Sequence, residues 1–380
     1  GCGGTGRHAW LRTKCRKAWG FDSLHPYQYY SFMNYRILLS LLIIPSLLSE
    51  NKTIEVRKII NSDDFAQEKN SYCKNRSDPS ILTWFEDFNG DSLSKDNWQY
   101  SVSNGFSYNG QYISGWGNGE LQYYTKPQRN TRFNEHHHID DVSGENLILK
   151  EKIENEKIKN VTNNLFLEDG YLKIQPIYNK KKPYFGFSYT SARINTKSLK
   201  SFTYPSKITI CFKVPKGIGF WPAFWLMPDK DVQWPQGGEI DIIEHRGRIS
   251  NIASSALHFG KTPTNKSTLV GEALIPRKVR FIDKFHSITL KWLEDEISFY
   301  LDNESEPYFR IDSNHPEFKK FSYPFNSTYY MIINVAVGGI YDDYWVDYDA
   351  FCKNRLCTNK ENPDQQRFIV DWIEYELLGE

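Results

Sequence analysis

From Ile81 onward the chain is a succession of short β-branched and aromatic runs broken by Gly, Asn, Asp and Pro. No stretch of comparable length repeats its apolar residues at the helical period. That property alone argues against helix bundles and alternating α/β architectures. Leu147–Leu149, Leu172–Ile174, Lys207–Val214, Glu239–Ile243, Ile288–Trp292, Ile297–Leu301, Met331–Val337 and Phe368–Leu377 read as strands. Many short strands at this spacing build an all-β sandwich or jelly roll. The charged, Asn/Lys/Glu-rich segment Asn134–Asn164 reads as a surface insertion. Its adjacent His136, His137 and His138 would not converge on one ion and read as solvated loop residues. Residues 50–80 are polar and read as a linker, and 81–380 as a single domain with no internal repeat.

One run carries chemistry as well as structure. Gly237-Gly238-Glu239-Ile240-Asp241-Ile242-Ile243-Glu244-His245 places three carboxylates among β-branched residues. On a strand, positions i and i+2 share a face, so Glu239 and Asp241 point the same way. Strict alternation would send Glu244 to the other face; one extra residue, a β-bulge at Ile242 or Ile243, brings it back. Three acids on one face repel one another. They read either as a solvated acidic edge or as a carboxylate pair flanking a scissile glycosidic bond. Retaining glycosidases hold that pair roughly 5–5.5 Å apart.

Charge and aromatic content narrow the partners. Forty-seven basic residues against 46 acidic ones give a net charge of +1, which argues against nucleic acid. Aromatic residues make up 16% of the chain, with 11 Trp. Such rings pack on sugar faces but also fill β-sandwich cores, so composition leans toward carbohydrate without deciding it.

The first 32 residues form no recognisable element and read as a non-native upstream segment. Met33-Asn34-Tyr35-Arg36 followed by the apolar run Ile37–Leu48 reads as a signal peptide over 33–49, too short for a membrane span. Secretion, with no stable membrane association, is therefore expected. Asn-x-Ser/Thr sequons at Asn51, Asn75, Asn160, Asn265, Asn303 and Asn326 agree with it. Outside the upstream segment stand Cys73, Cys211, Cys352 and Cys357. These four suffice for two disulfides, and Cys352 and Cys357, which close a short loop, are the expected pair; Cys211, mid-strand, reads alternatively as a buried free thiol.

Ahead of the acid strand, Gly219-Phe220-Trp221-Pro222-Ala223-Phe224-Trp225-Leu226-Met227-Pro228 sets Trp221 and Trp225 on one face, and Trp234-Pro235 follows. Together with Gly238–Glu244, this block resembles glycoside hydrolase family 16, within it the laminarinase branch of endo-β-1,3-glucanases. Trp84–Gly90, Trp116–Thr125, Tyr189–Ile194, Leu257-His258-Phe259, Phe285-His286, Ile332–Gly339 and Val370-Asp371 fit further family segments in the expected order. Ala192 departs from the pattern, standing where the family usually has Gly.

The resemblance implies a concanavalin-like β-jelly roll of two antiparallel sheets with an open cleft on the concave face. It implies Glu239 as nucleophile, Glu244 as general acid/base and Asp241 tuning their protonation. Asn118, Arg193, Trp221, Trp225, Trp234 and His258 align with sugar-contacting positions, and Glu120 with either a helper or a structural group. No cofactor is required for the chemistry; the family often carries a structural Ca²⁺, toward which Asp87 and Asp371 would contribute. The implied protein is a secreted monomer that hydrolyses laminarin-like β-1,3-glucan with retention. Two alternatives stay open: a non-catalytic β-1,3-glucan recognition protein, and a hydrolase of a galactan or mixed-linkage glucan. The bulged spacing argues against lichenases and xyloglucan transglycosylases, whose spacing is unbulged.

Overall fold

The computed structural model describes residues 51–60, 71–127, 163–182, 184–353 and 360–379, and the backbone of 133–139 and 146–152. Among these residues, two large sheets face each other across one apolar core. The first sheet runs, edge to edge, Lys52–Ile59, Asn265–Leu274, Ile252–Thr262, Glu239–Glu244, Phe220–Pro228, Tyr329–Val337, Arg193–Asn195 and Gln99–Tyr100. The second runs Phe309–Asp312, Glu296–Leu301, His286–Trp292, Ser206–Lys213, Phe368–Leu377, Tyr171–Ile174 and Leu165–Glu168, with Trp84–Glu86 also on Phe368–Leu377. This is the expected all-β jelly-roll sandwich. A small sheet brings Gln122–Tyr124 alongside Tyr189–Ser191. Helix is confined to short pieces such as Pro316–Phe321.

Alternation explains the layering. Ile240, Ile242, Phe224 and Leu226 of the first sheet and Ile208, Ile210, Ile288 and Leu290 of the second are all fully buried in the same core. Burying each such side chain contributes about 1.5–3 kcal/mol. The polar side chains of the acid strand are thereby left for the opposite face of its sheet.

Several expectations require correction. The segment 50–80 is not simply a linker: Lys52–Ile59 is an edge strand, paired in parallel along its whole length with Asn265–Leu274. The first sheet is therefore antiparallel except at this edge. Its side chains are mostly exposed, and ion pairs from Lys52 to Glu317 (2.6 Å) and Arg57 to Glu272 (2.8 Å) help fix it. Cys211 is not a free thiol but is bonded to Cys73, tying the segment before the domain to the second sheet. Cys352 is also disulfide-bonded; Cys357 lies outside the described residues. His136–His138 fall on a strand, Phe133–Ile139, which pairs with Asn146–Lys152, rather than in an open loop. The long hairpin Ile252–Thr262/Asn265–Leu274 gave only a faint sequence signal. Small and polar residues stand there in place of Val and Ile, as in the run Ala253-Ser254-Ser255-Ala256.

The two residues expected toward calcium lie near each other, and each has a partner of its own. Asp87 accepts hydrogen bonds from the backbone and side chain of Asn89 at 3.2 and 2.6 Å. The cation facing Asp371 is the guanidinium of Arg76, at 3.7 Å and packed over the Phe85 ring. Among the described residues no third acidic or histidine side chain converges with these two.

Candidate active site

The acid strand is bulged where the sequence requires it. Asp241 pairs with Ala256 and Glu244 with Ser254, so three steps on one strand answer two on the other. On the opposite side, Phe224 pairs with Ile243 and Trp225 with Asp241, which leaves Ile242 as the extra residue. The bulge returns Glu244 to the face that carries Glu239 and Asp241. At the start of the strand, Gly238 has φ +80, and a Cβ there would lie 2.7–2.9 Å from Phe325, Tyr329 and Pro324; only glycine fits.

Each flanking glutamate holds an indole. Trp234 donates Nε1–H to Glu239 Oε2 at 2.9 Å, and Trp221 donates Nε1–H to Glu244 Oε1 at 2.9 Å. His258, directly opposite Glu239 in the ladder, sets Nε2 3.2 Å from Asp241 Oδ2 and 3.8 Å from Glu239 Oε1. Asp241 Oδ2 is buried without a hydrogen-bond partner. One polar atom from each of Glu239, Asp241 and His258 lies within 4.8 Å of the others.

Burial and mutual repulsion dominate the electrostatics. Glu239 is pushed up to about 8, first by burial and then by Asp241, against the opposing pull of His258. Asp241 is likewise raised by burial to about 8, with Lys266 drawing it down. Glu244 is raised to about 7 by burial and Asp241. The three acids therefore cannot all be ionised at neutral pH and must share protons. Burial and the nearby Lys266 ammonium lower His258, so its imidazole is neutral at pH 7 despite the pull of Glu239.

The other expected residues form a second, contiguous group. Arg193 is sandwiched between Trp116 and Trp225, its guanidinium 4.0 and 4.8 Å from the two rings. Trp225 donates to Asn334 Oδ1 at 2.7 Å, and Asn334 Nδ2 donates to the Tyr124 hydroxyl at 3.1 Å. Tyr124 and Gln122 then donate to Glu120 Oε2, while Asn118 donates to Glu120 Oε1 at 3.1 Å. Glu120 is thus a buried hub that positions Asn118. The two groups meet at Gly339, where an added Cβ would lie 3.1 Å from both the Asn118 carbonyl and the Trp221 ring. Every expected site residue except Asp87 and Asp371 joins this continuous surface.

Sequence reasoning missed several participants. Tyr341 stacks under Trp221 (4.9 Å between centroids, 19° between planes), and the Arg246 guanidinium covers its ring at 4.1 Å. Lys266 and Thr268 stand behind His258. Their i, i+2 spacing puts them on one strand face, the only signal by which sequence could have grouped them.

A family model described as "Glycosyl hydrolases family 16" matches residues 112–352. The glucan endo-1,3-beta-glucosidase A1 of Niallia circulans is 31% identical over 285 residues, covering 70% of this chain but only 36% of that longer protein. The beta-1,3-glucan-binding protein of Penaeus monodon is 27% identical over 296 residues, 67% of this chain and 74% of that one. Among solved structures, the endo-beta-1,3-glucanase of Pyrococcus furiosus superposes with a TM-score of 0.59 at 26% identity, covering 79% of this chain and 95% of that one.

Proposed function

Because the chain belongs to glycosyl hydrolase family 16, we propose that it is a secreted, retaining endo-glycosidase that hydrolyses β-1,3-glucan by double displacement. The observation that carries this reading is the bulged acid strand, with Glu239 and Glu244 each gripped by an indole N–H on one face of the sheet. A pure binding surface has no need of two positioned, mutually repelling carboxylates.

In this reading the chemistry follows from where the charges lie. The reacting form is the one with Glu239 ionised and the proton on Glu244; at the Glu239 end, His258 and the Lys266 ammonium oppose the burial and the Asp241 charge that raise Glu239. Glu239 attacks the anomeric carbon while Glu244 protonates the departing glycosidic oxygen, giving a covalent glycosyl-enzyme and a free reducing-end fragment. Water then enters; Glu244, now anionic, takes its proton as the oxygen bonds to carbon and Glu239 leaves. Asp241, between them, raises both glutamates, so the row keeps a shared proton at neutral pH that Glu244 hands to the leaving oxygen. Trp221, Trp225 and Trp234 supply faces for pyranose rings, and Arg193 holds Trp225 in place.

Secretion is supported by the disulfide Cys73–Cys211, which suits an oxidising compartment, and by the sequons. Among the described residues no helix is long and apolar enough to cross a membrane.

A second reading, β-1,3-glucan recognition without hydrolysis, is favoured by the likeness to the Penaeus protein. One experiment separates the two. The protein is incubated with laminarin, lichenan and agarose beside Glu239→Gln, and reducing ends are measured. Release from laminarin that the variant abolishes supports the hydrolase, and retention of laminarin without release supports recognition. Release from agarose or lichenan alone moves the substrate elsewhere.

A further inference from the structure

At the Glu239 end of the acid row, a half-buried lysine folds over the same face of the sheet. We propose that Lys266 is a positioning residue of the catalytic centre, which fixes His258 as the Nε2–H tautomer and clamps Trp234 over Glu239. The proposal deepens the glycosidase reading and rests on it for its catalytic consequence, but not for the tautomer it assigns.

The register sets the arrangement. Glu239 pairs with His258, and His258 pairs with Thr268, so three strands place these side chains in one row across the sheet. Lys266 lies two residues before Thr268 on the same face and folds back onto the row. Its Nζ is 3.0 Å from Thr268 Oγ1 and 3.4 Å from His258 Nδ1, while Thr268 Oγ1 is 3.0 Å from the same Nδ1.

Donor and acceptor counting gives the proton positions. An ammonium has three donors and no acceptor, so it donates to Thr268 Oγ1 and faces Nδ1 with N–H. Nδ1 must then carry its lone pair toward Lys266 and Thr268, whose hydroxyl hydrogen is free to point at it. A neutral imidazole with a bare Nδ1 carries its proton on Nε2, and Nε2 faces Asp241 and Glu239. The opposite tautomer would press an N–H against the ammonium and present a lone pair to two carboxylates. His258 therefore turns an N–H rather than a lone pair toward the acids, without itself being charged.

The same ammonium lies 5.1 Å above the Trp234 ring, a cation–π contact. Trp234 in turn donates to Glu239 Oε2. One side chain thus supports both groups that touch Glu239, the indole on one oxygen and the imidazole beside the other. The charged and titratable groups facing this ammonium are Glu239 and Asp241 from the acid strand and His258 from the neighbouring strand. Glu239 and Asp241 offset part of the desolvation of this half-buried lysine.

The test uses the full chain with Lys266→Met, Lys266→Arg and Thr268→Val, read by imidazole ¹⁵N NMR of His258 and by kinetics on laminarin. The expected result for Lys266→Met is a His258 ring that loses its pure Nε2–H signature. kcat should fall by roughly 10–100-fold, the range for groups that orient an active residue, with KM little changed. Lys266→Arg should restore both, since a guanidinium also only donates. Should Lys266→Met fail to fold, Thr268→Val removes the hydroxyl link while keeping the charge, and a mixed tautomer is again expected. An unaltered His258 signature in Lys266→Met, or in Thr268→Val where that variant does not fold, would overturn the proposal. So would a rise in KM at constant kcat, which would make Lys266 a direct sugar contact. If the wild type cleaves no glucan, the glycosidase reading fails, while the tautomer result still decides the role of Lys266.

Discussion

Trp221 donates its indole N–H to Glu244 at 2.9 Å while its ring lies stacked on Tyr341, so one side chain both holds the proposed acid/base and packs a ring beside it. Trp221→Phe separates these duties. The ring and its stacking survive; the hydrogen bond to the carboxylate does not. A hydrogen bond to a charged group is worth about 1.5–3 kcal/mol, so kcat on laminarin should drop roughly 10–100-fold. KM should change far less. Steady-state kinetics on graded oligosaccharides checks both parts.

Glu244→Gln keeps the shape of the acid/base but cannot hand over a proton. Its kcat on laminarin should fall about 10²–10⁴-fold, the usual contribution of general acid–base catalysis. An aryl glycoside, whose leaving group needs no protonation, should lose much less in the first step. Glu239→Gln should abolish both reactions. A pre-steady-state burst compared across the two substrates distinguishes these cases.

The buried acids also make stability depend on pH. Glu239 titrates near 4.5 when unfolded but is raised to about 8 in the fold, so the folded chain binds more protons between these values. Stability consequently falls as pH rises from about 4.5 to about 8, and the cost is fully present above that. Glu239→Gln removes this penalty. The variant should melt higher than the wild type at about pH 9, with the difference vanishing near pH 4. Melting scans across pH give the answer directly, and a constant offset at all pH values would contradict it.

Cys73–Cys211 spans 138 residues and joins the segment before the domain to the second sheet. Chain-entropy arguments give a bridge of that span a stabilisation of about 4–5 kcal/mol. Cys73→Ser should therefore lower the melting temperature by several degrees yet leave kcat unchanged at room temperature, because the bridge lies in the sheet opposite the acid strand. Thermal unfolding with and without reductant tests this.

The acid strand was legible in sequence because its information is local. Alternation fixes the faces of Glu239 and Asp241, and the extra Ile forces the bulge. The Trp221–Trp225 spacing was legible for the same reason. Lys266 was not, because its role arises from the register of three strands, which no short window contains. Cys73 was not assigned because loop length favoured the near pair, whereas the fold brings Cys73 to a strand 138 residues away. Nothing in the segment around Asp371 shows Arg76 arriving beside it.

The parallel strand Lys52–Ile59 has a further consequence, for the order in which the molecule can be assembled. It leaves the ribosome before every other described strand, yet its partner Asn265–Leu274 follows far later in the chain. It has no partner until that strand is made, and its charged, largely exposed side chains suit it to water meanwhile. When it docks, it covers the backbone edge of the strand that carries Lys266 and Thr268. The first of these strands to be made is thus the one that closes the sheet beside the catalytic row, and its arrival reports that the hairpin behind His258 is complete.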